Sequence, residues 1–251
     1  MDAVIGVKDL RYRYPGAETP VINSLTLDVA RRAFVSVVGG SGVGKSTLLR
    51  MIAGLIAPEA GDIRITAEQQ IGRRRRALVF QDGRLMPWRD VHGNIAFGLE
   101  KLSLNAQERA SRIEEVLALT GLTQFADRWP HQLSGGQTQR VGIARALAVK
   151  PDILLMDEPF SAVDALTRQH LQTELTRIWQ RSGAAVVFVT HDIEEAVYLS
   201  DRVVVLGGNP ARVTADIAID DPRPRDRAVS AASSITREVA EALAPGGGAH
   251  I

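Results

Sequence analysis

The chain has 251 residues, which is enough to bury a sizeable core in one domain or in a domain with an inserted lobe. Its 30 basic and 29 acidic residues leave a net charge of +1, which argues against a general polyanion-binding surface, and the lack of cysteine excludes disulfides and thiolate metal sites. No secretory signal is visible and no apolar run approaches the ~20 residues of a membrane span, so we expect a soluble chain whose partner would supply any membrane-spanning helices.

The first part of the chain has the pattern of β-strands. Residues 4–29 alternate apolar and polar side chains around a Pro15-Gly16 turn, which predicts antiparallel strands. The apolar run 34–38 predicts a short buried strand, followed by a loop and a helix-like stretch at 48–53. A further short apolar run, 77–80, ends at Gln81.

The loop after the strand at 34–38 fits the pattern G-x-x-x-x-G-K-[ST] in the strand–loop–helix context that this motif requires. Its glycines would let backbone N–H groups curl into an anion-binding nest, and the helix N-terminus would add partial positive charge. Lys45 can reach the β- and γ-phosphates, and the Ser46 hydroxyl can bind Mg²⁺. The predicted phosphate-binding residues are Gly39, Gly40, Ser41, Gly42, Val43, Gly44, Lys45, Ser46 and Thr47.

Between Asp82 and Lys150 the pattern becomes helical, with Ser134 as an N-cap for a helix through Val149. Three later runs are continuously apolar, as expected of strands covered on both faces in a parallel sheet. These runs are 153–156, 186–189 and 203–206, with a connecting helix at 165–180, an extended segment at 221–225 and a short helix at 235–243. The pattern indicates a sheet-and-helix core interrupted by a helical insertion.

Two adjacent carboxylates follow the apolar strand at 153–156. Ligands in open α/β sheets bind at the carboxyl ends of the strands. Asp157 would hold Mg²⁺ through water, and Glu158 could polarise the attacking water as a general base. On its own this pair also fits a solvated strand end, whereas together with the phosphate loop it favours a nucleotide hydrolase.

Several motifs in order across residues 4–207 resemble those of the ATP-binding cassette (ABC) ATPases. Besides the phosphate loop and the acidic pair, the matching positions are Tyr14, which would stack on adenine; Gln81 of the Q-loop; the signature Leu133-Ser134-Gly135-Gly136-Gln137; the D-loop Ser161-Ala162-Val163-Asp164; and the switch histidine His191. The resemblance implies an α/β fold with a P-loop NTPase (RecA-like) core, an antiparallel β subdomain and an inserted α-helical subdomain. The predicted single ABC ATPase domain has its core at 1–82 and 151–220, its helical subdomain at 83–150 and a C-terminal tail at 221–251.

The resemblance also implies roles for these residues, with ATP and Mg²⁺ as cofactors. Glu158, His191 and Gln81 would be catalytic; Ser46, Gln81 and Asp157 would hold the metal; Tyr14, Asp164 and the phosphate-loop residues would bind the nucleotide. Ser134, Gly135, Gly136 and Gln137 would hold the γ-phosphate of ATP bound to the other subunit. Each position also has an ordinary structural interpretation: a helix cap at Ser134, a polar strand end at Gln81, a hydrogen-bonded structural histidine at His191, and packing of Tyr14 on the strands.

Because the signature would complete the site of a partner, the resemblance implies two chains arranged head to tail around two ATP molecules. The partner would be a second copy or a related ABC ATPase. A single cassette and a short insertion favour the subunit of a membrane transporter over a soluble ABC protein that acts on nucleic acid or ribosomes. The run Arg73–Arg76 is compatible with the second class, but a solvated turn is the preferred interpretation, and we expect no nucleic-acid partner.

Residues 79–88, 157–168 and 221–227 are similar to importer ATPases of the nitrate/sulfonate/taurine group. This similarity implies uptake of a small anionic or polar solute through permease subunits, with a solute-binding protein involved indirectly; an exporter subunit is the alternative. The chain would then lie on the cytoplasmic face of the inner membrane, attached through the permease. Trp88 would line the groove that receives a permease helix or would pack in the core, and Gly40 replaces the more usual proline of the phosphate loop.

Overall fold

The computed structural model describes residues 3–67, 71–161 and 163–244. Contacts divide the chain into two compact units, one within residues 1–66 and 185–251 and the other within residues 67–184. The division into core, helical subdomain and tail at the boundaries predicted from the sequence stays a prediction. None of the described helices is both long enough and apolar enough to cross a bilayer.

Nine strands and eight α-helices are found in the described residues. In chain order they are β1 (Ala3–Tyr12), β2 (Ile22–Ala30), β3 (Phe34–Gly39), α1 (Lys45–Ile52), β4 (Ala60–Ile65), β5 (Arg76–Val79), α2 (Val91–Leu99), α3 (Ala106–Leu119), α4 (Gly135–Ala148), β6 (Ile153–Asp157), α5 (Ala165–Ser182), β7 (Ala185–Val189), α6 (Ile193–Leu199), β8 (Arg202–Gly207), β9 (Arg212–Ala218), α7 (Arg227–Ala231) and α8 (Ser234–Leu243). Short 3₁₀ turns lie at Thr123–Phe125 and Pro130–Gln132.

The first unit contains an antiparallel sheet of order β2-β1-β4. Its strands alternate buried and exposed residues where one face packs inward, most regularly in β2. The predicted antiparallel pair and its turn at Pro15-Gly16 are confirmed, because β1 pairs with β2 from Ala3↔Ala30 to Tyr12↔Ile22. The third strand, β4, has no clear signal in the sequence, since four of its six residues are exposed.

A second set of strands in this unit has the order β7-β3-β8-β9. The first three run parallel, whereas β9 runs antiparallel to β8. Every residue of β3 and β7 is buried, as expected of strands covered on both faces. One face is covered by α6 and α8, and the buried residues of this cluster are Val38, Ala196, Val197, Val203, Val205, Ile217, Ile219 and Val239.

The predicted tail helix is confirmed as α8, and the extended segment before it is anchored by two arginines. Arg225 donates through Nη1 to the carbonyls of Val197 and Tyr198, at 2.8 and 3.3 Å, and to the carbonyl of Ser200. These oxygens belong to the last turn of α6 and the residue that caps it, where helical carbonyls lack intrahelical partners. Arg223 donates to the Leu199 carbonyl and pairs with Asp201. The segment is therefore a C-terminal cap for α6.

The second unit pairs β5 with β6 in parallel, in the register Arg76↔Ile153 to Val79↔Met156. This unit also contains four helices, α2 to α5. The sequence predicts three of them, α3, α4 and α5. In α3 the residues at helical spacing, Ile113, Val116 and Leu117, are buried. The helices α4 and α5 begin at the capping residues Ser134 and Asp164.

Replacing Arg225 tests whether the extended segment stabilises α6. We expect Arg225→Ala to lower the free energy of unfolding by about 2 kcal/mol, because partly buried carbonyls at the end of α6 lose their donors. Chemical denaturation monitored by circular dichroism measures this change. Arg237→Ala, on an exposed face of α8, should stay within about 0.5 kcal/mol of the parent. Equal stability of the two variants would contradict the capping role.

Candidate functional site

The phosphate loop connects β3 to α1 in the first unit. Its backbone turns through left-handed conformations at Gly42 and Gly44, with φ of 78° and 113°, which side-chain-bearing residues rarely adopt. Gly44 is also the N-cap of α1 and has no side chain with which to cap the helix. A helix that begins in this way presents an N-terminus suited to an anion.

The Lys45 side chain crosses this loop. Its Nζ donates to the carbonyl of Gly39 at 2.8 Å and to that of Gly40 at 3.1 Å, and the residue is only 5% exposed. A buried ammonium group requires such partners, because desolvation of an unpaired charge is costly. The loop therefore holds a positive charge in a fixed position at its centre.

Two neighbouring glycines of the loop differ in the space around them. A Cβ at Gly39 would lie 2.7 Å from the Leu206 carbonyl oxygen and 2.8 Å from Cγ1 of Val43, so no side chain fits there. A Cβ at Gly40 would have no atom within 4 Å. Gly39 thus lets the loop pack directly on β8, whereas the glycine at position 40 is not required by packing.

Tyr14 lies beside the start of α1. Its hydroxyl is 2.7 Å from Oγ1 of Thr47, and its ring meets that of Tyr12 edge-on at 5.1 Å between centroids. The side chain is still 41% exposed, so it is fixed from one side and accessible from another. Both interpretations drawn from the sequence fit this position: Tyr14 packs on the sheet and also presents a ring next to the phosphate loop.

His191 follows β7, the strand that pairs in parallel with β3. Its side chain is exposed, and its neighbours form a tight turn. The Thr190 hydroxyl donates to the Glu195 carboxylate and accepts from the Asp192 N–H at 3.1 Å, while Asp192 caps α6. Because β3 and β7 end at the same edge, the structure brings His191 and the phosphate loop to one edge of the first unit.

The carboxylates of the second unit lie at the end of β6. The strand delivers Asp157 and then Glu158, whose φ of 43° is unusual for a residue with a long side chain. The carbonyl of Glu158 accepts from both the N–H and the hydroxyl of Ser161, at 3.2 and 3.0 Å. Gln81 follows the neighbouring parallel strand β5 and is exposed. The structure thus brings Gln81, Asp157 and Glu158 to one edge of the second unit.

The signature segment forms the N-terminus of α4 through a capping box. The Ser134 hydroxyl accepts from the Gln137 N–H at 3.3 Å, and the Gln137 side chain accepts from the Ser134 N–H at 2.9 Å. Ser134 and Gly135 remain exposed, but Gly136 is buried. A Cβ at Gly136 would lie 2.8 Å from Cγ2 of Thr167, so this glycine also lets α4 approach α5 closely.

Asp164, the last D-loop residue, is the N-cap of α5. Hydrogen bonds from the side chain and the backbone of Thr167 hold the pKa of Asp164 below its usual range. These hydrogen bonds stabilise the folded chain when Asp164 is ionised. The stabilisation is present at neutral pH and is lost as the pH falls through the lowered pKa. Ala162 of the same motif lies outside the described residues.

Sequence reasoning missed two residues of α4 that bind the main chain on either side of Gln81. Arg145 donates to the carbonyl of Gly83 at 2.7 Å and to that of Arg84 at 2.9 Å, and the buried Gln139 donates to the Phe80 carbonyl at 3.4 Å. Burial lowers the pKa of Arg145, while the nearby Asp82 acts in the opposite direction.

The comparisons with known proteins agree with these motifs. The family model described as ABC transporter matches residues 22–161. A taurine import ATP-binding protein, TauB, of Pseudomonas putida is 46% identical over 219 residues, which cover 87% of this chain and 84% of the relative. The chain belongs to the ABC transporter family. An uncharacterized ABC transporter ATP-binding protein of Methanocaldococcus jannaschii is 47% identical over 86% of this chain and 81% of its own length.

Solved structures of ABC proteins match the fold. The cbiO1 subunit from Clostridium perfringens, part of the transporter complex cbiONQ, has a TM-score of 0.77 at 28% identity and covers 86% of this chain and 88% of its own. The dimeric cassette MJ0796, in a post-hydrolysis state bound to ADP and Pi, has a TM-score of 0.73 at 31% identity and covers 87% and 100%. The predicted fold class, a P-loop NTPase core with a β subdomain and a helical region, is confirmed.

As an ABC ATPase, the chain binds ATP with Mg²⁺ and hydrolyses it. The residues present fit these ligands. The loop at Gly39 is closed to any side chain, its lysine holds a buried charge, and a helix N-terminus follows. The candidate metal residues Ser46, Gln81 and Asp157 supply hydroxyl, amide and carboxylate oxygens, the hard donors that Mg²⁺ prefers.

The contrast between the two glycines of the loop gives a matched pair of variants. Gly39→Ala should lower the free energy of unfolding by about 1–3 kcal/mol and weaken ATP binding, because the new methyl group overlaps the Leu206 carbonyl. Gly40→Ala adds the same group into open space and should change both properties little. Denaturant unfolding and titration with a fluorescent ATP analogue measure the two effects. A Gly40→Ala variant as impaired as Gly39→Ala would show that the packing argument is wrong.

Proposed function

We propose that this chain is the ATP-hydrolysing subunit of an ABC importer that drives uptake of a small sulfonate, or a similar anionic or polar solute, through a partner permease. The supporting observation is the 46% identity to a taurine import ATP-binding protein over 87% of the chain. That similarity extends well beyond the nucleotide motifs, which are common to importers and exporters. A solute of the taurine type is therefore the first to test.

The proposed roles follow from the chemistry of each side chain. Lys45 and the backbone of the phosphate loop bind the β- and γ-phosphates, and Tyr14 stacks on the base. Ser46, Asp157 and Gln81 would hold Mg²⁺, which would supply charge neutralisation at the phosphate oxygens. Glu158 would accept a proton from the attacking water, and the exposed His191 imidazole would contact the γ-phosphate.

We infer further that two chains combine head to tail. The exposed Ser134 and Gly135 begin α4, and a helix N-terminus can bind the γ-phosphate held by a second copy. Asp164 of the D-loop would lie at the same junction between subunits. The similarity to a cassette whose solved structure is dimeric supports this arrangement. Closure of the pair on ATP, and its opening after hydrolysis, would drive the permease.

The permease contact is assigned to the segment after the Q-loop. Trp88 is 70% exposed, which argues against the core-packing interpretation and leaves the ring available to a partner. Pro87 beside it is exposed as well. We propose that these residues receive a permease helix, and that the chain is held in this way at the cytoplasmic face of the membrane.

Mixing two inactive variants tests the head-to-tail arrangement. Lys45→Ala removes the phosphate-loop charge and Ser134→Ala removes the signature hydroxyl, so each variant alone should lose nearly all ATPase activity. An equal mixture should recover about a quarter of the parental rate, because half of the random dimers are mixed and each mixed dimer has one intact site of two. Phosphate release measures the rates. A mixture as inactive as its components would contradict sites shared between two chains.

Replacing the general base tests coupling to import. With the permease and binding protein in proteoliposomes, the parent should take up labelled taurine in the presence of ATP. Glu158→Gln should bind ATP but reduce hydrolysis and uptake more than about 100-fold, since the amide cannot accept the proton. Glu194→Gln, exposed in α6, is the control and should keep both activities. Hydrolysis by the parent without uptake of taurine or another sulfonate would contradict the proposed solute.

A further inference from the structure

We propose that a cavity in the second unit, whose lining includes none of the nucleotide-motif residues, binds a small organic anion with an apolar body. The cavity has a volume of about 660 Å³, within the range of sites for small molecules. It is lined by α3, by the end of α4 and the residues that follow it, and by the end of α5. All of its lining residues lie within 67–184.

The walls of the cavity are apolar where the helices meet. Val116 and Leu119 come from α3, Leu147 from the last turn of α4, and Pro151 from the turn that follows. Val116 and Leu147 are each about 5% exposed, so these side chains form a fixed surface. Such a surface suits an aromatic or aliphatic group.

The rim of the cavity is strongly basic. Four cations line it, Arg73, Arg112, Lys150 and Arg181, with one acidic residue, Glu115. Lys150 pairs with Glu115 at 3.1 Å and Arg73 pairs with Asp152 at 3.6 Å, so Arg112 and Arg181 carry most of the excess positive charge. A concave surface with an excess of one charge sign focuses the electrostatic field and attracts ions of the opposite sign. The ligand is therefore expected to carry a sulfonate, carboxylate or phosphate group.

Two of the cationic groups are held in position by contacts with the main chain. Nη1 of Arg112 donates to the Gly72 carbonyl at 2.6 Å, and Nε of Arg73 donates to the Lys150 carbonyl at 2.9 Å. A guanidinium has five N–H donors in a planar fork, so these bonds fix the orientation of its plane. Fixed donors bind an anion at a lower entropic cost than mobile side chains do.

This site also explains a sequence feature that the nucleotide motifs do not use. Arg73 begins the run Arg73–Arg76 and lines the cavity, while Arg76 begins β5. The run is therefore divided between a strand and a binding surface and does not form one continuous basic patch for nucleic acid.

Binding of 8-anilinonaphthalene-1-sulfonate to the full chain, without nucleotide, tests this proposal. The probe joins an apolar aromatic body to a sulfonate, and its fluorescence rises in apolar surroundings. We expect saturable binding at one site per chain. N-phenyl-1-naphthylamine, which lacks the sulfonate, should bind at least about tenfold more weakly. Because no nucleotide is present, the result does not depend on the ATPase assignment.

Two variants and one control locate the binding. Arg181→Glu should weaken binding of the sulfonate probe about tenfold or more, because attraction at the rim becomes repulsion. Ala118→Trp, at an exposed lining position of α3, should reduce binding similarly by filling the cavity. Arg177→Glu makes the same charge change one turn earlier in α5, on an exposed position outside the cavity, and should leave the affinity within about twofold.

Several results would overturn the proposal. Absence of saturable binding, equal affinity for the charged and uncharged probes, or unchanged affinity in both Arg181→Glu and Ala118→Trp would each contradict it. The circular dichroism spectrum and melting temperature of every variant are measured alongside. If a variant does not fold, the affinity of the parent for the sulfonate probe is measured in 0.5 M salt instead. A site that depends on charge must bind more weakly there, because the Debye length is shorter, and an unchanged affinity would contradict the proposal.

Discussion

The site depends first on a buried positive charge in a loop without side chains. Lys45 is almost fully enclosed, and its ammonium group is stabilised by the carbonyls of Gly39 and Gly40. That geometry is possible because Gly39 lets the loop pack on β8 and Gly44 turns the chain into α1. The buried strand β3 anchors the loop from the other side. When a phosphate binds, its negative charge can take the place of these carbonyl dipoles beside the Lys45 ammonium group, which is already in position.

Several glycines and capping residues of the motifs serve the fold as well as the ligand. Ser134 caps α4, Asp164 caps α5, and Gly136 lets these two helices approach each other. The helix-cap interpretation of Ser134, left open by the sequence, is therefore correct, and it does not compete with a role in nucleotide binding. A helix N-terminus that is well capped is also a well-oriented anion-binding group.

Much of the fold could be predicted from the sequence where one physical signal dominates. Continuous apolar runs predicted β3, β6, β7 and β8, the cap at Ser134 predicted the start of α4, and α5 matches the connecting helix predicted at 165–180. The strands β4 and β9 were not predicted, because few of their residues are buried and neither has a continuous apolar run. The left-handed backbone at Glu158 could not be foreseen either, since glutamate rarely adopts it. The bonds of Arg145 and Arg225 to carbonyls were hidden for a related reason: an arginine in a sequence gives no sign of which oxygens it will bind.

The hydrogen bonds between Arg145 and the loop after β5 bear on which residues of that loop can be substituted. Its acceptors are the peptide oxygens of Gly83 and Arg84. Any amino acid that adopts the same backbone conformation offers the same oxygen. The side chain at position 84 can therefore change without loosening the attachment to α4. Substitution at this position can thus alter the chemical character of the surface while the hydrogen bonds from the signature helix stay in place.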